Sequence, residues 1–441
     1  MPTRFPRRAA AFAALVASLC ASSLLLTFAC APATAQTTTA LQGGVNILGI
    51  TAASTASEAD KVITQAAALH AKLVRVEAPW FEFEPNGPGQ IDPQTLAFAD
   101  RLIDDAAAAG IKVILIAEGV PCWASSAPAK LISQCKPLHE SKANSWPPKD
   151  PSTFAEYTAF LATRYGTKLA AIEIWNEPDQ ANEDYFAGPE KPKRYAAVLR
   201  AAYTAIKAAN PAVEVLGGSL VGSNGVFLKQ LYAAGIKGFY DGLAVHFYNL
   251  TLASVRAIHE TQLHNGDTTP LWLDEFGWSS CFPLERIEQE QGCVTEAVQA
   301  KNLISTIREL SRASYVAAAV VYKLQDGPHE RFGLVGLGGR HKQSFKALQS
   351  ALTAPFGPVS GVTLSLSRRH GQLVAHGSAP VGDYMRLEES VSGVLRYKVL
   401  YVLNRFNEYS LKLPRQLGTH NVKVRVFQYW LGRSHAATRL G

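Results

Sequence analysis

Several common signatures are missing from this 441-residue chain. No Gly-x-Gly-x-x-Gly follows the first apolar run, Val45–Ser54, which counts against an open, doubly wound dinucleotide-binding sheet. The cysteines show neither Cys-x-x-Cys spacing nor neighbouring histidines, so a zinc site is disfavoured. No basic run is interleaved with aromatics, and nucleic acid is not suggested despite a formal net charge of +7. Beyond residue 355 no clustered exposed aromatics are expected that would mark a sugar-binding platform.

What is present begins with an export pattern. Arg4, Arg7 and Arg8 precede the apolar run Ala9–Phe28, and Ala33-Thr34-Ala35 stands before Gln36. Residues 1–35 therefore read as a secretory signal peptide, with the mature protein periplasmic or secreted. A membrane anchor is the rival reading because the run approaches spanning length, but the Ala-x-Ala site favours cleavage. Arg7-Arg8 hints at twin-arginine export, although the following residues fit poorly, and Cys30 lacks the upstream Leu of a lipidated cysteine. Loss of the three arginines takes the charge from +7 to +4.

Four cysteines remain after that cleavage, namely Cys122, Cys135, Cys281 and Cys293. In an oxidising compartment an even count implies two disulfides. Three connectivities are open in principle. Local pairing, Cys122 with Cys135 and Cys281 with Cys293, needs no distant coincidence.

From Val45 to about Leu352 short apolar runs alternate with amphipathic helical stretches, as in repeated βα units. The strand candidates are Val45–Thr51, Leu73–Val76, Lys112–Ala117, Ala171–Trp175, Val213–Gly217, Gly242–Phe247, Leu271–Asp274 and Val316–Leu324. Several are nearly all apolar, as strands buried on both faces must be. Asp92-Pro93 and Asp150-Pro151 mark helix starts, and Gly110 and Gly166 mark helix ends. Eight such units over about 300 residues favour a closed (β/α)8 barrel, residues 36–354. After Pro355-Phe-Gly-Pro358 the pattern turns to period two over Val362–Ser367, Gln372–Ala375, Tyr384–Leu387, Tyr397–Val402, Tyr409–Leu413 and Val422–Phe427. Residues 355–441 are expected to form a small antiparallel, β-sandwich-like accessory domain.

Strand C-termini line the mouth of such a barrel, so polar residues there carry most weight. Ile174-Trp175-Asn176-Glu177-Pro178-Asp179 ends strand four, and Trp272-Leu273-Asp274-Glu275-Phe276-Gly277-Trp278 ends strand seven. Cleaving a glycosidic bond requires two carboxyl groups facing it, and these strands lie across one mouth. Alternation along strand seven is expected to send Asp274 to the side opposite Glu275.

With Asn-Glu after strand four and Glu after strand seven, the sequence resembles clan A of the glycoside hydrolases over about Val45–Leu352. Within the clan it is most similar to family 39 and related exopolysaccharide glycosidases. That likeness rests on Val74-Arg75-Val76-Glu77-Ala78-Pro79-Trp80, Pro147-Pro148-Lys149-Asp150-Pro151 and Val245-His246-Phe247-Tyr248. The resemblance implies a retaining O-glycosyl hydrolase with Glu177 as acid/base, Glu275 as nucleophile and Asn176 as donor to the sugar 2-hydroxyl. It also implies that Arg75 and Tyr248 hydrogen-bond the nucleophile, leaving the proton on Glu177.

His246 suits a cleft wall, with a structural histidine as the alternative. Trp123 and Tyr248 are the leading aromatic candidates for a sugar platform, followed by Trp146 and Trp278. Strand eight departs from the clan: Tyr322 stands where many members carry Trp. No metal or cofactor is expected, and the partner is a polysaccharide or oligosaccharide substrate. The alternatives are a transglycosylase on the same barrel and a non-catalytic carbohydrate-binding or matrix protein.

Overall fold

A computed structural model describes residues 41–47, 55–221, 225–248, 253–281, 293–311, 313–353, 362–378, 385–391, 394–401, 408–414, 422–430 and 433–440. The export segment, the second half of the first strand candidate and the Pro355–Pro358 boundary lie outside them. Eight strands, β1 (Gln42–Asn46), β2 (Leu73–Pro79), β3 (Lys112–Glu118), β4 (Leu169–Ile174), β5 (Glu214–Leu220), β6 (Gly242–Phe247), β7 (Leu271–Phe276) and β8 (Val316–Val321), pair in parallel. They close into a barrel in chain order, with β8 hydrogen-bonded to β1.

The intervening helices start and stop where local chemistry directs. The Asp92 side chain accepts from the amides of Gln94 and Thr95 at 3.1 and 2.8 Å, and Asp150 accepts from Ser152 at 2.9 Å. In both cases a proline occupies the first helical turn. On Pro93–Ala108 the buried residues include Leu102, Ile103 and Ala106, with Leu96 and Ala99 packed partly buried beside them. On Pro151–Tyr165 they include Phe154, Tyr157 and Leu161. These faces join the continuous core between helices and barrel.

Inside the barrel, Leu73, Ile114, Ala171, Leu216, Ala244 and Trp272 form an apolar plug. Side chains alternate along a strand, so the residues two further on face the same interior one pleat nearer the mouth. Four of these are Arg75, Glu173, His246 and Asp274, all fully buried. An apolar floor therefore carries a polar layer, and the candidate site rests on it.

The C-terminal region contains two antiparallel sheets. One has the order β13 (Glu408–Lys412), β10 (Gln372–Ser378), β9 (Ser365–Arg369). The other has the order β12 (Val394–Tyr401), β11 (Met385–Val391), β14 (Val422–Trp430), β15 (Arg433–Leu440). Ala375 and Tyr409 of the first sheet and Leu387, Val424 and Val426 of the second share one small core. The strand β15 was not foreseen, because Arg-Ser-His-Ala-Ala-Thr-Arg-Leu has little of the alternation that marks the others.

Candidate active site

Arg75 organises the polar layer. Its Nε and Nη2 donate to Glu173 Oε2 and Oε1 at 2.7 and 2.6 Å, a bidentate pair across the barrel. Nη1 donates to Asn46 Oδ1 at 3.0 Å and to Glu275 Oε1, while Nη2 also reaches Asn176 Oδ1 at 2.9 Å. Burial works against the charge on Glu173, yet Arg75 outweighs it and holds that carboxyl below its ordinary range. Asp274 behaves oppositely. Burial and the Glu173 carboxylate push it well above the usual range, although Arg75 Nε lies 3.4 Å away.

The expectation that Asp274 lies opposite Glu275 is corrected. Asp274, two residues beyond Trp272, points into the barrel with Arg75 and His246, and Glu275 points there too instead of alternating outward. Strict period two fails because the register slips between Leu273 and Phe276 against β8, and between Ala244 and His246 against β7. Two successive carboxyls thereby face one interior.

Glu177 and Glu275 converge through His246. His246 Nδ1 lies 2.7 Å from Glu177 Oε1 and 3.5 Å from Glu275 Oε2. One side-chain atom from each of the three falls within 4.8 Å of the others. Glu177 has a left-handed backbone, φ +45°, as does Trp175 at +71°. Such conformations cost on the order of 1–3 kcal/mol each and persist where the surroundings enforce them. Here Trp175 is held by its indole N–H donating to Tyr185 O at 2.9 Å, and Glu177 Oε2 accepts from Gln180 Nε2 at 2.9 Å.

The charge distribution differs from the one expected. Burial alone would depress His246, but Glu275, Asp274 and Glu177 raise it to about 9. Burial raises Glu177 in turn, and the bond from His246 overrides it, so Glu177 sits below its ordinary range. In the resting protein the proton of this pair therefore rests on His246 rather than on Glu177. Tyr248 donates to Glu275 Oε2; burial, then the Glu275 carboxylate, pushes the phenol well above its usual value and keeps it a donor.

Tyr322 joins the same group, its ring 5.5 Å from that of Tyr248 and 5.6 Å from Phe332, with its hydroxyl 3.2 Å from Glu330 Oε2. Arg75, Asn176, Glu177, His246, Tyr248, Glu275 and Tyr322 thus form one connected constellation. Trp123 is not part of it. Its indole donates to Glu84 O at 2.7 Å and its ring stands edge-on to Trp80 at 5.3 Å, so it is tied into the barrel wall. Trp278 is 2% exposed and packs edge-on to Phe247, which makes it core. Trp146 lies under Arg194, 5.7 Å from ring centroid to guanidinium carbon.

Sequence reasoning missed Glu173, Asn46, Phe332 and the inward position of Asp274. For Glu173 a signal existed, since a carboxylate inside an apolar strand run must have a buried partner. Arg75→Met would leave Glu173 without its cation in the barrel interior. We expect denaturant unfolding of this variant to show a loss of about 3–5 kcal/mol; unchanged stability would mean that the buried pair is not formed.

Both local disulfides are present. Cys122–Cys135 and Cys281–Cys293 have Cα separations of 5.7 and 5.3 Å, and their first cysteines follow β3 and β7 on the mouth side. Among the described residues no helix is long and apolar enough to cross a membrane.

A family model described as cellulase, glycosyl hydrolase family 5, matches residues 34–302. No curated protein matches the chain. Among solved structures, a family 39 glycoside hydrolase from Bacteroides cellulosilyticus WH2 has 16% identity and a TM-score of 0.56 over 85% of this chain and 81% of its own. A family 39 β-xylosidase from Caulobacter crescentus has 17% identity and a TM-score of 0.52 over 78% and 81%. An endo-β-1,4-mannanase from Thermotoga petrophila has 13% and 0.51 over 91% and 97%. At these identities the likeness is one of fold. Family model, barrel and carboxylate-bearing strand ends agree: the chain belongs to the cellulase family, glycosyl hydrolase family 5, and is a clan A glycoside hydrolase.

Proposed function

We propose that the chain is an exported retaining glycosidase that cleaves O-glycosidic bonds of a polysaccharide or oligosaccharide through a covalent intermediate. The observation that carries this reading is the approach of Glu177 and Glu275 oxygens to within 4.8 Å of each other around His246. Retaining enzymes hold their carboxyl groups about 5–5.5 Å apart, whereas inverting ones leave room for a water at about 6.5–9.5 Å.

In this reading Glu275 attacks the anomeric carbon, its carboxylate aimed by Arg75 and Tyr248. Glu177 delivers a proton to the departing oxygen, drawing on the one shared with His246. The emptied Glu177 carboxylate then takes a proton from water, which displaces Glu275 from the sugar. Asn176 Oδ1 is occupied by Arg75, which orients its amide NH2 for a sugar hydroxyl. Residues 1–35 serve as export signal, 36–354 as catalytic barrel and 355–441 as accessory β domain. The two disulfides fit an oxidising compartment. NMR of the first-formed anomer tests the stereochemistry: retention is expected, and inversion would remove Glu275 from the nucleophile role.

The His246–Glu177 pair also sets a pH dependence. With His246 raised to about 9, kcat/KM on an aryl glycoside should fall along a basic limb near that value as the shared proton leaves. His246→Gln should move the limb to lower pH; an unmoved limb would exclude the shared proton. The same raised pKa stabilises the fold fully below the unfolded value of about 6.5, and that contribution is lost as pH rises through about 9.

A further inference from the structure

Beside Asn176 the barrel mouth opens into a cleft of about 240 Å³. Its lining includes five carboxyl groups, Glu77, Glu82, Glu118, Glu140 and Asp184, and no lysine, arginine or histidine. None of the five has a part in the reaction described above. Glu77 lies two residues beyond Arg75 on β2, one pleat nearer the mouth, and Glu118 ends β3, where it pairs with Pro79. Among the described residues neither side chain has a hydrogen bond or an ion pair.

Burial raises the Glu77 carboxyl, and burial together with Glu77 raises Glu118 well above its ordinary range. Carboxyl groups placed this way are expensive unless a cation meets them. The nearest cation, Arg75, is committed to Glu173, Glu275, Asn46 and Asn176. Carboxyls raised in this way keep a proton until a cation arrives to offset their repulsion, and the cleft lining itself offers none. The cleft is far larger than an ion, it runs to the residue next to Glu177, and it is flanked by the half-exposed ring of Tyr185.

We propose that this cleft is a subsite for a sugar bearing a free amine, and that the substrate is a hexosamine polymer with unacetylated positions. This deepens the glycosidase reading and rests on it. An ammonium group offers three donors, matching paired carboxylates that a neutral sugar would leave partly unsatisfied. The wider charge balance agrees. Residues 36–354 hold 28 Lys and Arg against 32 Asp and Glu, although the whole chain is basic, so the barrel attracts a polycation.

Equilibrium binding on the full mature chain tests this, in a Glu275→Gln background so that ligand is not consumed. The probes are β-1,4-linked glucosamine and galactosamine oligomers, each compared with its N-acetylated counterpart. At least one free-amine oligomer should bind about ten-fold or more tighter than its acetylated form, and Glu77→Gln/Glu118→Gln should abolish that preference. The double replacement removes two uncompensated carboxyls without changing side-chain shape, and thermal melting checks that it folds.

Equal or tighter binding of the acetylated forms, failure of both amines to bind, or a preference surviving the double variant would overturn the proposal. Calcium binding that is lost in the double variant would reassign the pair to a metal ion and overturn it equally. Hydrolysis of neutral glycans with no preference for amines would remove the subsite while leaving the glycosidase intact. Absence of hydrolysis on every glycan would instead remove the glycosidase reading.

Discussion

Glu275→Ala should lose turnover by about 10⁴-fold or more on natural glycans and on activated aryl glycosides alike. The variant lacks the atom that forms the glycosyl-enzyme bond, so a better leaving group does not help the retaining reaction. It should nonetheless fold, because Arg75 keeps Glu173, Asn46 and Asn176 as partners. Azide can rescue it only by attacking from the vacated side, giving the glycosyl azide of opposite anomeric configuration. Rates near wild type, or a rescued product of retained configuration, would show that another group attacks the sugar.

Glu177→Ala should divide the substrates instead. On natural glycans the leaving alkoxide needs a proton, and the loss should be about 10²–10⁴-fold. A dinitrophenyl glycoside leaves without help, so its first step should stay fast and glycosyl-enzyme should accumulate. Azide should then restore turnover by replacing the water that Glu177 would have activated, with retention. The variant also strips His246 of its 2.7 Å partner, leaving Glu275 and Asp274 as its nearest carboxyls. Equal losses on both substrates with no azide response would be inconsistent with an acid/base at this position.

The contrast between these two variants depends on which partners each carboxyl keeps, and the chain's own order reveals only part of that. Asn-Glu at the end of one apolar run and Glu at the end of another were readable as a pair because a barrel brings its strand ends to one mouth. Arg75 and Tyr248 were legible through motif resemblance, and both reach Glu275. Glu173 was not, although it is the strongest partner of Arg75, because its place inside an apolar run calls for a buried partner without saying which residue supplies it. The aromatic candidates divided similarly. Tyr248 and Tyr322 meet beside Glu275, whereas Trp123 and Trp278 are absorbed into the wall and core.

By itself the sequence determined what depends on neighbours along the chain. The alternation of apolar runs with helical faces specified eight βα units, Asp-Pro pairs and glycines specified helix ends, and short separations specified the disulfide partners. Tertiary structure alone decided what depends on through-space geometry. Register slips in β6 and β7 turned Asp274 and Glu275 toward the same interior against the rule of alternation. Three carboxyls around one buried imidazole placed the proton on His246 and not on Glu177, because charge in a low-dielectric interior responds to distance and burial, neither of which has a period in sequence.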